Sequence, residues 1–510
     1  ILSKMTQYCA IALLTGDAYL GVEEILIPDE ISRQVTLPER VTGFNADKLQ
    51  AIVNDLQVCL ACLYCFGFDF RKYQVGFIEQ NGVTCDLRGQ SAERRQLEIG
   101  AVVHRPVRDG DLVFVSRHPA VYKHSVIALI ARIHPGKSFR INPLVCSPLK
   151  GDFDGDRLHV YFPQAEDARV ETKELMGLKQ QFQALSSGNP VISLTQDMLV
   201  AAYILVSRHI FFTAPQMQQL ALHADRWSLP DPAIVKPLAL WTGFQAFGLL
   251  LPSELAFSTR TGVLISDGEL VTAGDDGSWL GGGTDSLLRA IHEKFGVAEA
   301  IGYLDSCCSM LKEFLHIEGF SIGLGDFNVS DRQREAISEL LAYAKENYVE
   351  EQDFRDVERC LEVKIKNQTR RGNRLHMMMK AGSKGSASSA RIHVACLGVQ
   401  VVHGRSEFID KSFWSGLDPS EFWQHSVCTR ATLLKSLTMH DAGTLASTLM
   451  NHLEDVYLAY DGTVRHRQSE QVVQLVYGNE SAQPGEAVGA LAASFITEQA
   501  YDTAYEDFKV

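Results

Sequence analysis

The stretch GDFDGDRLHVYFPQ, residues 151–164, constrains this chain more than any other. Asp152, Asp154 and Asp156 alternate, with Gly155 between the last two. A glycine there lets the backbone reverse sharply, which would bring alternate carboxylates together. Crowded carboxylates repel one another unless a cation lies among them. The following RLHVYF reads as a strand. The pattern therefore calls for an acidic turn at the entrance to a strand, either a metal site or a row of solvated acids.

Specific chemistries can be tested against the spacing. An EF-hand loop needs Gly at its sixth position and a bidentate Glu at its twelfth. Counted from Asp152, those positions hold Arg157 and Pro163, which excludes it. A haloacid-dehalogenase-like phosphatase would match Asp152, Asp154 and Gly155, with Gly274, Asp275 and Asp276 as its later acidic motif. That fold wants a buried parallel strand before the nucleophile, whereas CSPLKG carries Pro148 and Lys150. Three carboxylates on one tight loop suit magnesium, which takes oxygen ligands and keeps positions open for substrate phosphates.

Composition limits what else the chain can be. Its 510 residues suffice for several domains, and 46% hydrophobic with 22% charged residues is ordinary for a globular protein. A net charge of −14 argues against a free-standing nucleic-acid binder, unless partner subunits supply the basic surface. The start, ILSKMTQYCA, lacks an initiator Met and a signal-peptide pattern, so a piece of a longer intracellular chain is expected. The most apolar run, MLVAAYILVS at 198–207, is too short to span a bilayer, so no membrane partner is expected. Eleven cysteines are scattered. Cys59, Cys62 and Cys65 could ligate zinc only with a fourth ligand such as Cys85, so core packing is the expectation for them.

Along the chain, residues 1–100 mix short helical and strand-like pieces. VVHRPV, DLVFVS, FRINPL and RLHVYF within 101–165 read as strands. Leu175, Leu178 and Phe182 are spaced for a helix over 166–186. AGDDGSWLGGGTD at 273–285 reads as a loop feeding a helix over 285–295. Ser330 and Gln333 form a capping box, with Ile337, Leu340, Leu341 and Ala344 at helical spacing behind it. KAGSKGSASSAR at 380–391 breaks that helix, either as a flexible loop or as a close backbone approach, and Lys384 within it could meet a phosphate.

The surroundings of the acidic loop resemble a known family. DGDLVFVSRHPAVYKHS (109–125) and FRINPLVCSPLKGDFDGDRLHVYFPQ (139–164) are similar to the catalytic core of the largest subunit of multisubunit RNA polymerases, whose loop reads Asn-Ala-Asp-Phe-Asp-Gly-Asp. SLTQDMLVA (193–201), GFSIGLGD (319–326), AGSKGS (381–386), GLDPSEFWQHS (416–426), AYDGTVR (459–465) and PGEAVGALAA (484–493) follow in the family's order.

The resemblance implies an α+β fold, with a double-psi β-barrel followed by largely helical regions. It implies an active-site domain over 1–165, a pore region over 166–330 and funnel helices over 331–405. A cleft with a divergent bridge helix over 406–480 and a degenerate trigger-loop region over 481–510 complete it. It implies that Asp152, Asp154 and Asp156 hold a permanent magnesium (Mg2+), that a second arrives with the nucleotide, and that zinc belongs to an N-terminal clamp before residue 1. Arg117, in SRHP, would contact the nucleotide sugar or RNA end. Lys123, Arg132 and Arg140 would add basic charge nearby.

Departures from the family pattern narrow the branch. Lys150-Gly151 replaces Asn-Ala, and a Lys cannot accept a hydrogen bond from a ribose hydroxyl. TRATLLKSLTMHDAGTL (429–445) departs from the bridge helix. SFITEQAYDTAYEDF (494–508) keeps Glu498 and Ala500 but lacks the trigger loop's Gln, Asn and His. This combination resembles the plant-specific RNA polymerases IV and V, with IV the nearer reading and V the alternative. The resemblance implies nuclear RNA synthesis for small-RNA-directed DNA methylation. Implied partners are the second-largest and smaller polymerase subunits, DNA template, RNA product, nucleoside triphosphates and an RNA-dependent RNA polymerase. A noncatalytic scaffold is the competing class.

Overall fold

The computed structural model describes residues 8–51, 53, 77–80, 82–86, 96–118, 120, 122–184, 187–224, 228–328, 331–347, 351–368, 372–402, 405–435, 438–478 and 482–506. They fall into two units. One holds the residues up to Ile192 together with Val297–Asp305, and the other holds Ser193–Gly296 and the residues from Ser306 on. The Cys59, Cys62 and Cys65 run and Ser330 lie outside the described residues.

Among the described residues ten strands build the first unit. They are β1 (Cys9–Gly16), β2 (Glu24–Pro28), β3 (Thr36–Arg40), β4 (Phe77–Gln80), β5 (Val83–Asp86), β6 (Val102–Pro106), β7 (Leu112–Ser116), β8 (Val126–His134), β9 (Phe139–Ile141) and β10 (Arg157–Tyr161). Six of them close a barrel in the order β1-β10-β7-β8-β2-β9. The β1–β9 and β2–β8 pairs are parallel and the other neighbours antiparallel.

Alternate residues point inward, as a strand's period dictates. Val113 and Val115, Leu158 and Val160, Ile25 and Ile27, Ile127 and Leu129, Phe139 and Ile141, and Leu14 are all buried. Such branched side chains fill a small barrel rather than leave a pore. Each contributes about 1.5–3 kcal/mol by leaving water. The remaining strands form an antiparallel sheet, β3-β6-β4-β5, whose Ile78 and Val103 pack against Val41, Leu49 and Val53.

All four expected strands form, but VVHRPV joins the four-stranded sheet rather than the barrel. The nine-residue β8 was not expected. The helix expected over 166–186 spans only Glu166–Met176. It stops at Gly177, where a side chain would lie 2.9 Å from the Lys173 carbonyl. Leu178 and Phe182 are buried beyond its end and Leu175 is 61% exposed, so their spacing marks no helix face.

The second unit is largely helical. Leu287–Phe295 is the helix expected after the glycine-rich loop, with the Ser286 side chain accepting from the Arg289 N–H. The expected long helix is two described helices, Asp331–Asn347 and Glu351–Gln368. Their Ile337, Leu341, Ala344, Val357 and Leu361 share a core with Ala390 and Cys396. The bridge-like region holds helices Pro419–Lys435 and Thr438–Leu453. The last element described is the helix Val488–Glu506.

Candidate active site

Local rules place the acidic loop at one end of the barrel. The buried Asn142 accepts from the Leu144 N–H and donates to the Leu20 carbonyl at 2.7 Å, starting a short turn at Pro143–Val145. The helix Cys146–Leu149 follows and stops at Lys150, which is left-handed at φ 49°. Gly155, at φ 124°, turns the chain into β10. The Leu14 N–H donates to the Asp156 carbonyl at 2.9 Å and ties the loop to β1. The exposed Phe153 ring lies over Gly16, where a Cβ would come within 2.8 Å of it.

Within the loop the three carboxylates differ. Asp152 and Asp154 are exposed. Asp156 is grasped by Arg117, whose Nε donates to Oδ2 at 2.6 Å and Nη2 to Oδ1 at 3.1 Å. The Asp152 N–H also donates to Asp156 Oδ2, at 2.8 Å, and Asp152 Oδ1 accepts from the Phe153 N–H. Burial would raise the Asp156 pKa, but the hydrogen bonds from Arg117 and Asp152 N–H and the guanidinium charge outweigh it and hold it below the ordinary range. Among the described residues no three His, Cys, Asp or Glu side chains gather as a metal-holding group. Arg117 is a cation for Asp156 alone and touches neither Asp152 nor Asp154 in any described contact.

The donor set suits a hard cation in chemistry, since all three side chains are carboxylates. Cys146 is buried, and burial with the charges of Asp152 and Asp156 pushes its thiol up to about 12.

Lys150 Nζ stands 5.1 Å from the centre of the Tyr122 ring, in the segment just after Arg117. Sequence reasoning missed Tyr122 and Asn142. The Asn-Pro pair was a readable helix-start signal. Arg132 pairs with Glu24 at 2.9 Å and Arg140 with Asp17 at 3.7 Å, so both are engaged on the barrel wall. Cys85, the fourth zinc ligand the sequence offered, lies in β5. The phosphatase reading fails because a helical turn, not a strand, precedes Asp152.

In the second unit the glycine-rich segments meet one another. The Gly277 N–H donates to the Lys380 carbonyl at 2.8 Å, and a Cβ on Gly277 would sit 2.7 Å from the Ala381 carbonyl oxygen. Ser383 Oγ donates to the Gln196 carbonyl at 2.8 Å. AGDDG, AGSKGS and the SLTQDMLVA helix Gln196–Leu205 thus converge. The close backbone approach is made by Gly277 onto Ala381, whereas Gly382 and Gly385 of AGSKGS face only side-chain atoms, and Lys384 is exposed.

A closed barrel carrying an acidic loop at its rim, followed by helical regions bearing these motifs in order, defines a polymerase largest-subunit core. Comparison with known families agrees. Residues 3–178 match RNA polymerase Rpb1, domain 2, and residues 182–327 match domain 3. Residues 329–423 match domain 4 and residues 416–501 match domain 5. The chain belongs to the largest-subunit family of multisubunit RNA polymerases.

Among its relatives, DNA-directed RNA polymerase V subunit 1 of Arabidopsis thaliana is 30% identical over 98% of this chain and 26% of its own length. DNA-directed RNA polymerase IV subunit 1 of the same plant is 28% identical over 98% of this chain and 40% of its own length. DNA-directed RNA polymerase III subunit RPC1 of Saccharomyces cerevisiae is 29% identical over 95% and 38%. The chain therefore spans less than half the length of each of these relatives, and the identities do not separate IV from V.

Proposed function

We propose that this chain forms the magnesium-holding half of the active site of a nuclear DNA-directed RNA polymerase. In this reading the barrel is a double-psi barrel, and the regions bounded at 165, 330, 405 and 480 are the active-site, pore, funnel, cleft and trigger-loop parts. The observation that carries the proposal is the intact loop Asp152–Asp154–Asp156, held at the barrel rim with two of its carboxylates exposed. Asp152, Asp154 and Asp156 would hold the permanent Mg2+, and the nucleotide would bring a second. Magnesium held there would supply charge neutralisation at the attacking RNA 3′ hydroxyl and at the transferring phosphoryl group.

The chain's own residues orient the rest. Gly155 sets the turn that faces the carboxylates outward. Arg117 offers a planar fork that matches phosphate or ribose acceptors. Lys150, fixed in its left-handed turn, can donate to a sugar or phosphate oxygen but not accept from one. The second-largest subunit would supply the other half of the cleft, and smaller subunits, template DNA, product RNA and nucleoside triphosphates complete the set. Similarity to polymerases IV and V supports the further reading that the RNA serves small-RNA-directed DNA methylation, passing to an RNA-dependent RNA polymerase.

One observation favours a scaffold instead. Both oxygens of Asp156 are already taken by protein donors. The deciding experiment is magnesium-dependent primer extension by the assembled complex, wild type against Asp154→Ala. Catalysis is expected to be lost in the variant, and equal activity would sink the catalytic reading.

A further inference from the structure

In the second unit, four aromatic side chains stand in solvent within residues 413–423. Phe413 and Trp414 are exposed, Phe422 is 59% exposed and Trp423 71%. Single exposed apolar residues are ordinary, whereas neighbouring ones mark a contact surface. These are neighbours, because the Phe413 ring lies 5.4 Å from that of His425, one turn along the helix Pro419–Lys435 from Phe422. Their backbone is fixed from behind. The Phe413 and Trp414 N–H groups donate to the Ile392 and His393 carbonyls at 3.2 and 3.0 Å, on the helix Ala387–Val394. The Ser412 N–H donates to Ser415 Oγ at 2.9 Å, and the Asp418 N–H donates to Glu421 Oε2 at 2.7 Å at the start of the helix.

Charge decides what can cover these rings. Glu407, on the strand Arg405–Ile409, accepts from the side chain of Gln424, the residue after Trp423. Asp418 and Glu421 precede Phe422 and share one ammonium, Lys411, at 2.5 and 3.5 Å. Three carboxylates thus border the rings against one lysine. The next exposed cation on the helix, Arg430, lies about 10 Å along its axis from Trp423. Nucleic acid stacks on aromatic side chains where a basic groove holds its backbone, and this border repels it. A second copy meeting the surface face to face would set acid against acid. An arginine satisfies both features, since its guanidinium stacks on an aromatic face and forks onto carboxylates. The net charge of −14 likewise favours basic partners.

We propose that Phe413, Trp414, Phe422 and Trp423 form a docking surface for an arginine-bearing segment of a partner subunit. Phe422 and Trp423, the most exposed, take the anchoring contacts, because aromatic and arginine side chains carry most of the energy at the centre of an interface. Glu407 and Asp418 act from the rim, where charge governs encounter and salt dependence. The inference rests on the chain working as one subunit of a larger assembly, and not on the acidic loop holding a metal.

The test is photo-cross-linking in the complete polymerase complex, with p-benzoylphenylalanine replacing Trp423 or, separately, Phe422, and the joined peptides sequenced by mass spectrometry. Both positions are expected to join one segment of another subunit, and that segment is expected to carry arginine. Trp423→Ser should then weaken retention of that subunit about ten-fold or more. Glu407→Gln should weaken it about three-fold and flatten its dependence on salt. A misfolded chain would shed every subunit, so selective loss of the one is the signature, and the cross-link is read with the fold intact. Joining to nucleic acid, to a second copy, to this chain itself, to a segment without arginine, or to nothing would overturn the proposal. Asp154→Ala should leave the cross-link unchanged, so failure of the magnesium reading and failure of this one are told apart.

Discussion

At Lys150 a backbone requirement and a chemical departure coincide. The residue closes the helix Cys146–Leu149 in the left-handed region, which costs most side chains about 1 kcal/mol or more and costs Asn less. The family's Asn would therefore fit this turn at least as well, and Lys150→Asn should leave the fold intact. Any change in the variant can then be assigned to chemistry. Asn restores a carbonyl that accepts from a ribose hydroxyl, where Lys has only donors. Lys150→Asn is expected to raise discrimination between ribo- and deoxyribonucleotides or to raise the rate of incorporation, measured as kcat/KM for each in the assembled complex. Unchanged values for both would remove Lys150 from substrate selection. The acidic loop was legible because its chemistry is written in consecutive residues. The grip of Arg117 on Asp156 was not, because a barrel pairing brings β7 beside β10 and nothing local reports it.

Among the elements, glycine marks where two backbones need the same space. Gly277 lets one loop lie on Ala381, and Gly489 lets the helix Val488–Glu506 lie on Thr438–Leu453, where a Cβ would come within 2.2 Å of the Leu453 carbonyl oxygen. The sequence showed these glycines, and for KAGSKGSASSAR it admitted close approach as one of two readings. Their partners were unreadable, since they lie far along the chain. The same limit applied to β8, whose VIALIARIH lacks strict alternation, and to the helix ending at Gly177, where buried residues past the end imitate helical spacing.

Arg391 gives the element scale its sharpest test. It is buried, and its Nε lies 3.3 Å from Glu362 and its Nη1 3.6 Å from Glu358, both on the helix Glu351–Gln368. Its Nη1 also donates to the Leu397 carbonyl at 2.9 Å and the Cys396 carbonyl at 3.1 Å. Arg391→Met would leave two carboxylates facing a cavity without their cation. A loss of about 3 kcal/mol is expected in denaturant unfolding. Adding Glu358→Gln and Glu362→Gln to that variant should recover much of it, because the unpaired charges are then gone. If Arg391→Met alone unfolds like wild type, the pairing contributes nothing to the fold.

For the whole molecule, the proposed function raises the issue of what would turn over with the acidic loop intact and the bridge and trigger regions diverged as the resemblance implies. The loop supplies carboxylates, but catalysis on a triphosphate also needs side chains that contact its phosphates and base. Where the family places a Gln, an Asn and a His, this chain has SFITEQAYDTAYEDF, described as helix up to Glu506. The described residues of the bridge-like region form the helices Pro419–Lys435 and Thr438–Leu453. If the closing groups are lost, as the resemblance implies, positioning of the leaving phosphates and charge stabilisation would go with them, and a single stabilising donor is commonly worth about 10²–10³ in rate. Fidelity should fall with speed, because closure driven by the correct nucleotide is what magnifies a small difference in pairing energy. The assembled complex is therefore expected to add a matched nucleotide at least about 100-fold more slowly than a polymerase III complex. Its ratio of matched to mismatched incorporation should also be lower in single-turnover assays on one primed template. A slow enzyme of normal fidelity would mean that selection resides in the barrel end of the site, at Arg117 and Lys150, rather than in the elements that diverged.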